Sequence, residues 1–191
     1  WVQFRKGPPL IQPFYDFLKL LLVKETILPA KGSIITFLAT PVFAITGAAL
    51  SGIMILMPAF NYSSGFNGDV IVLFYILAIP SISYILGALA AGNPLASVGA
   101  SREMKLVMSY ELTFLLVLAA IVLKAGMAIK ISDIIQAQVM QGPFIGSISG
   151  VLLFIVLIFC IQAKLGLVPF DMAEAETEIN HGAFIEYSGS A

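Results

Sequence analysis

Charged side chains are scarce in this sequence: Asp, Glu, Lys and Arg make up 11% of 191 residues, against about 25% in an ordinary soluble domain. Too few solvated groups remain to coat a water-facing globule, which excludes a typical soluble domain. Cysteine is almost absent as well. Cys160 is the single one, and it lies inside an apolar run. That excludes a disulfide framework, and a cysteine-ligated cluster or zinc site, within this chain. The only histidine, His181, is no metal site by itself. Its titration range suits a proton donor as readily as a structural role near a helix end. Net charge is −1, so no basic face invites nucleic acid. The patterns GxxxxGK[ST], GxGxxG, CxxC and HExxH do not occur, so no nucleotide, dinucleotide or metal cluster is expected to bind this chain alone. Lys and Arg are also missing from residue 165 to the end.

What is present is apolar. Hydrophobic residues make up 59% of the chain, and the mean hydropathy is +0.99. Four runs are long enough, at about 20 residues, to cross a hydrocarbon layer about 30 Å thick. They cover roughly 34–60, 70–91, 106–129 and 144–168. The expected fold is all-α, a polytopic transmembrane helical bundle. Pro41 and Pro80 fall within spans and are expected to kink them rather than end them. Small residues recur at four-residue spacing as Gly146/Gly150, Ala48/Gly52 and Ser83/Gly87/Ala91, positions that let membrane helices approach closely. The chain starts WVQFRKGPP without Met and ends EYSGSA, so further spans are expected to flank it.

Positive residues orient the spans. Arg5, Lys6, Lys19, Lys24 and Lys31 precede the first, Arg102 and Lys105 lie between the second and third, and Lys164 ends the fourth. The opposite side carries only Lys124 and Lys130. The positive-inside rule makes the richer side cytoplasmic. Three regions follow: a cytoplasmic segment 1–33, a four-helix membrane region 34–168, and an acidic cytoplasmic loop 169–191 leading into a further span. Within the first, PFYDFLKLLLVKE at 13–25 is too short to span. Phe14, Phe17, Leu18, Leu21 and Leu22 form one helical stripe, with Asp16 and Lys19 on another face. A helix lying in the membrane interface is expected.

Two sets of charges require explanation. Glu111, in LVMSYELTF, sits one to two turns into the third span. An ionised carboxylate facing lipid there costs at least about 2.5–3.5 kcal/mol. It is expected to face protein, water or a partner, either as a structural clasp or as a proton-relay station. The second set is PFDMAEAETEIN at 169–180, with Asp171, Glu174, Glu176 and Glu178, followed by Glu186. Asp171 with Glu174 approaches a capping box, which predicts a helix ending near Asn180-His181-Gly182. On that helix Asp171, Glu174 and Glu178 share a face. Capping leaves Glu176, Glu178 and Glu186 unexplained. Clustered carboxylates repel, which favours retained protons and a response to nearby charge. A solvated acidic loop, or a docking surface for a soluble subunit, accounts for the composition equally well.

RKGPPLIQPFYDFLKLLLVKE, GASREMKLVMSYELTF and PFDMAEAETEINHGAFIEYSG together resemble the membrane subunit that anchors the redox arm in respiratory complex I and its relatives, the energy-converting membrane-bound [NiFe] hydrogenases, formate hydrogenlyase and related archaeal reductases. The resemblance covers essentially the whole chain. It implies an all-helical protein of about eight spans, of which these four look like the second to fifth. It implies a membrane subunit of a multisubunit redox-driven pump of protons or sodium ions, multi-pass in the cell membrane, with no redox centre of its own. Iron–sulfur clusters and, in the hydrogenase branch, a NiFe centre belong to partner subunits. Those partners are a peripheral iron–sulfur subunit, a protein like the hydrogenase large subunit, and antiporter-like and small membrane subunits. Carried over by position, Glu111, Asp171, Glu174, Glu176, Glu178 and Glu186 would couple protons. Arg5, Asp16, Lys19, Glu25, Arg102 and Glu103 would dock the peripheral arm or join its charge network. RKGPP and SREM look closer to the hydrogenase branch, and MSYE looks like complex I. A quinone-binding subunit of a quinone oxidoreductase is therefore the alternative. A stand-alone ion transporter and a passive anchor are the alternatives from other classes.

Overall fold

The computed structural model describes residues 11–25, 27–60, 65–174 and 176–188, without the side chains of residues 176 and 177. Helices α1 (Gln12–Leu22), α2 (Ile34–Phe60), α3 (Asp69–Ala90), α4 (Pro94–Lys124), α5 (Ile131–Gln141), α6 (Ile148–Lys164) and α7 (Glu176–Ile179) follow one another, with short 3-10 turns at Phe144–Gly146 and Gly182–Phe184. No strand occurs among the described residues. The architecture is an all-α bundle of the kind that crosses membranes. α2, α3 and α4 are each long and apolar enough to span. The expected fourth span is shorter than 144–168. α6 has 17 residues, at the lower limit of spanning length. Ser147 caps its start, its Oγ accepting from the Gly150 N–H at 3.2 Å, and Gly166 follows its end in the left-handed region (φ 61°).

α2 and α3 form an antiparallel pair. Pro41 and Pro58 lie inside α2 and Pro80 inside α3. Gly47 admits the Ile79 side chain, since a Cβ there would stand 2.9 Å from it. Of the expected small-residue sites, Gly87 carries a close approach, whereas Gly52 and Gly146 face open space. α4 packs against α3, and the Tyr110 hydroxyl donates to Ser81 Oγ at 2.9 Å. The core gathers Phe37, Ile85, Ala88, Ala96, Ala100, Val107, Ala163 and Ala183. Around it, leucines and isoleucines such as Ile35 and Leu116 remain open, as a lipid-facing surface requires.

Three elements depart from the sequence expectation. The 92–105 connection is mostly helix, because α4 begins at Pro94. Asn93 caps it, accepting from the Leu95 N–H at 2.9 Å, and Pro94 suits the first helical position. The charged stretch Ser101–Lys105 is built of good helix formers, so hydropathy falls there while the helix continues. The 31 residues of α4 reach about 46 Å, beyond a hydrocarbon layer of about 30 Å, so roughly its first third stands outside one. α5 lies in what was read as a plain connection. The expected helix from Asp171 to Asn180 is reduced to the single turn α7, and Asp171 forms a backbone turn to Glu174 instead (3.2 Å). Packing overrides propensity here. Ala173, Ile179 and Ala183 are buried, and the segment presses onto α4 where Gly99 leaves room, a Cβ there standing 2.6 Å from the Ala183 nitrogen. The expected stop does occur, with Asn180, His181 and Gly182 all at positive φ.

α1 forms where the apolar stripe places it. None of its residues is buried, and Phe14, Phe17, Leu21 and Leu22 are open. The segments after α1, before α4 and after α6 meet at one end of the bundle. The Ile27 N–H donates to Ser188 Oγ at 3.1 Å, and Asn93 Nδ2 donates to Glu186 Oε1 at 2.7 Å. Lys124 and Lys130 lie at the other end.

Candidate functional site

At the acidic end α2, through Ala48 and Ser51, joins α3, α4, the end of α6 and the 169–188 segment in lining a cavity of about 420 Å³. Ser81, Tyr84, Glu103, Lys164, Asp171 and Glu174 supply its polar lining. α4 provides Glu103, and two turns further along provides Glu111, which faces the same cation. Lys164 Nζ lies 3.8 Å from Glu111 Oε1, with the two side chains 19% and 24% exposed. That separation is electrostatic and exceeds hydrogen-bond reach, so Glu111 Oε1 keeps an open acceptor position. The ammonium also stands 5.2 Å from the Tyr110 ring centre and 5.8 Å from that of Phe114, within cation–π range. Glu103 interacts electrostatically with both Glu174 and Lys164. A line of charged groups, two acids, a cation and a third acid, therefore runs Glu174, Glu103, Lys164, Glu111, from the acidic segment into the bundle.

The acidic segment does not form one carboxylate cluster. Asp171 and Glu174 face the cavity. Glu178 lies outside it, joined to Arg102 at 2.7 Å on an exposed surface. The same guanidinium reaches the Met172 carbonyl at 3.4 Å. Glu186 accepts from Asn93. The Glu176 side chain and Arg5 lie outside the described residues. Asp16 Oδ1 accepts from Gln12 Nε2 at 2.9 Å on the exposed face of α1, with Lys19 also exposed there, and Glu25 is exposed beyond the helix. None of these three lines the cavity. Glu103, which the resemblance groups with residues that dock the peripheral arm or join its charge network, lines the cavity.

Tyr187 fastens the segment to the bundle. Its ring stacks on Phe37 with centres 4.1 Å apart and planes 13° from parallel. Its hydroxyl lies 2.9 Å from Thr40 Oγ1 and donates to the Phe37 carbonyl at 3.3 Å. Burial pushes this phenol above its ordinary pKa, partly offset by the Thr40 hydrogen bond, so it remains a neutral donor. Gly87 makes room for it, since any Cβ there would collide with the hydroxyl.

Sequence reasoning missed Lys164 as a site residue, using it only for orientation. The available signal was a lone cation closing an apolar helix within reach of a span that carries a lone acid. Tyr187 offered no comparable signal, because its partners on α2 are about 150 positions away. Asp69 was also missed. It is 2% exposed, and its Oδ1 accepts from the Ile131 N–H at 2.8 Å, tying α3 to α5 at the other end. Among the described residues no group of three or more His, Cys, Asp or Glu is placed to hold a metal ion.

Comparison with known proteins places this geometry in context. The NADH dehydrogenase family profile matches residues 1–191. An NADH-quinone oxidoreductase subunit of Ruthia magnifica subsp. Calyptogena magnifica is 36% identical over 200 residues, covering 99% of this chain and 54% of that protein. Formate hydrogenlyase subunit 4 of Escherichia coli (strain K12) is 35% identical over 188 residues, covering 97% of this chain and 59% of that protein. A chain in the structure of a membrane-bound sulfane sulfur reductase, an archaeal respiratory membrane complex, superposes with a TM-score of 0.82 at 26% identity, covering 99% of this chain and 61% of that one. The chain thus spans little more than half the length of these curated relatives.

Proposed function

This chain belongs to the NADH dehydrogenase family of membrane subunits, and from that premise we propose that it couples electron transfer in a peripheral redox arm to the movement of protons or sodium ions across the membrane. The observation that carries the reading is the line Glu174, Glu103, Lys164, Glu111. Reduction in the docked arm changes the charge beside the acidic segment. Glu174 and Glu103 respond by exchanging protons with the cavity. Lys164 then faces a different charge on its Glu103 side and rebalances its attraction to Glu111. At about 4 Å, an ion pair at an effective dielectric of about 20 is worth about 4 kcal/mol before desolvation is counted. Antiporter-like partners carry the ion itself. The acidic end is the cytoplasmic one, which follows from the excess of Lys and Arg there.

Within the family, RKGPP and SREM support a hydrogenase or related ferredoxin-dependent complex. The partners would then be an iron–sulfur subunit and a large subunit of hydrogenase type, the latter holding the NiFe centre. A quinone reductase is the second reading. MSYE and the similarity to an NADH-quinone oxidoreductase subunit favour it, with the cavity of about 420 Å³ as the place for the acceptor.

The test uses the intact complex in sealed vesicles, with ion movement and electron transfer measured together. Glu111→Gln and Lys164→Met are each expected to assemble and to lower ions moved per electron at least severalfold. Glu176→Gln, measured alongside, asks whether the coupling path extends along the acidic segment. Unchanged coupling in assembled Glu111→Gln and Lys164→Met complexes would leave a passive anchor as the better description. Ion transport by the purified subunit without its partners would point to a stand-alone transporter.

A further inference from the structure

At the end of the bundle away from the acidic segment, α4, α5 and α6 converge on a smaller cavity of about 180 Å³. Lys124, the last residue of α4, reaches into it. Its Nζ donates to Ser147 Oγ and, at 2.8 Å, to Ser149 Oγ, and it stands 5.9 Å from the Phe144 ring centre. All these partners are neutral. Among the described residues no carboxylate lies within ion-pair distance of Lys124. Asp69, the buried acid at this end, accepts from the Ile131 N–H through Oδ1, its Oδ2 has no hydrogen-bond partner among the described residues, and it forms no ion pair with Lys124.

The surroundings add positive character without a counter-charge. α6 begins here, and the first backbone N–H groups of a helix have no partner within it. Only one of them, that of Gly150, is taken by the Ser147 hydroxyl. The positive end of the helix dipole therefore points toward the same place as the ammonium. Gln138 of α5 closes one side. Gly150 lets the 144–146 turn fold directly onto α6, since a Cβ there would collide with the Phe144 carbonyl. From this polar mouth the cavity continues along Ile121, Leu153 and Leu157, between α4 and α6.

A cation without an anion, set over an apolar furrow at the end of two spanning helices, matches one kind of molecule. We propose that this is a binding site for an anionic phospholipid in the leaflet opposite the acidic segment. The phosphate is held by Lys124, Ser149 and the start of α6. An acyl chain lies along Ile121, Leu153 and Leu157. A bare lysine at this depth would snorkel into water; here serines and an aromatic ring hold it over the furrow. The apolar walls favour a lipid over a free anion, which would gain nothing from them.

The test uses the intact complex containing the full-length chain, delipidated in mild detergent and supplied with phosphatidylglycerol or phosphatidylcholine. Retained lipid is then counted by native mass spectrometry. Phosphatidylglycerol is expected to be retained in preference to phosphatidylcholine, and Lys124→Gln is expected to lower its retention on the order of tenfold, the scale of one hydrogen bond to a charged group. Lys124→Arg should keep it. Equal retention of the two lipids, unchanged retention in Lys124→Gln, or displacement of phosphatidylglycerol by millimolar inorganic phosphate would each overturn the assignment. Should Lys124→Gln fail to assemble, Ser149→Ala removes a hydroxyl without touching the charge. It is expected to lower retention about threefold, and unchanged retention there overturns the site as well.

Discussion

At the scale of single residues, Tyr187 and Gly87 make the sharpest claim. The phenol can sit between α2 and α3 only because position 87 has no Cβ. Gly87→Ala is expected to destabilise the assembled protein by about 1–3 kcal/mol, as overpacking a tight contact does, and to release the 169–188 segment to added protease. Tyr187→Phe keeps the stacking on Phe37 and loses the hydroxyl contacts, a loss of about 0.5–1.5 kcal/mol readable as a lower melting temperature. The sign of the pH effect follows from the raised phenol. The folded state holds this proton more tightly than the unfolded chain does. The stabilisation is therefore complete below the ordinary tyrosine value of about 10 and is lost as pH rises through the folded value. Melting curves at alkaline pH should fall more steeply for the wild type than for Tyr187→Phe. Glu111 was legible from sequence as an acid needing company, because its neighbours are apolar. The identity of that company was not, since Lys164 lies 53 positions further along the chain and the pair exists only once α4 and α6 pack.

At the scale of elements, hydropathy located α2 to the residue, because its apolar run and its helix coincide at 34–60. It failed for α4, where helix and hydrocarbon part company. The polar start Pro94–Lys105 is helical for reasons of capping and propensity that a search for membrane spans does not weigh. It failed again at 171–174, where burial of Ala173 against α4 outweighs a capping pattern. The start of α4 offers a direct check. Asn93 holds both the Leu95 N–H and Glu186, so Asn93→Ala removes a cap and a tether together. A loss of about 1–2 kcal/mol is expected, with faster amide hydrogen exchange in the first turn of α4 and at 182–188. Exchange confined to α4 would show that the tether to Glu186 contributes nothing.

At the scale of the whole molecule, the bundle has two unlike ends. One brings together the α1 connection, the start of α4 and the acidic segment; the other holds Lys124, Lys130 and the small cavity. This grouping was legible in the distribution of ten basic residues, since each span reverses the chain and the charges sort by parity. The shape of the main cavity was not legible, because it is built from five separated stretches. The orientation can be measured by replacing exposed residues with cysteine in inside-out and right-side-out vesicles. Met172→Cys is expected to react with a membrane-impermeant maleimide only from the cytoplasmic side, and Met127→Cys only from the other. Cys160, buried in α6, should stay silent in both preparations.

The construction of α4 has a mechanical consequence. Its neighbours α2 and α3 each contain proline within the helix and so carry built-in joints, whereas α4 has none beyond its first residue. It is an unjointed strut among hinged companions. A displacement imposed on its Glu103 end would be carried toward Lys124 along a helix with no internal proline to bend at. The Lys124 end and the charged cavity thus share one continuous helix, so a shift at either would be passed toward the other.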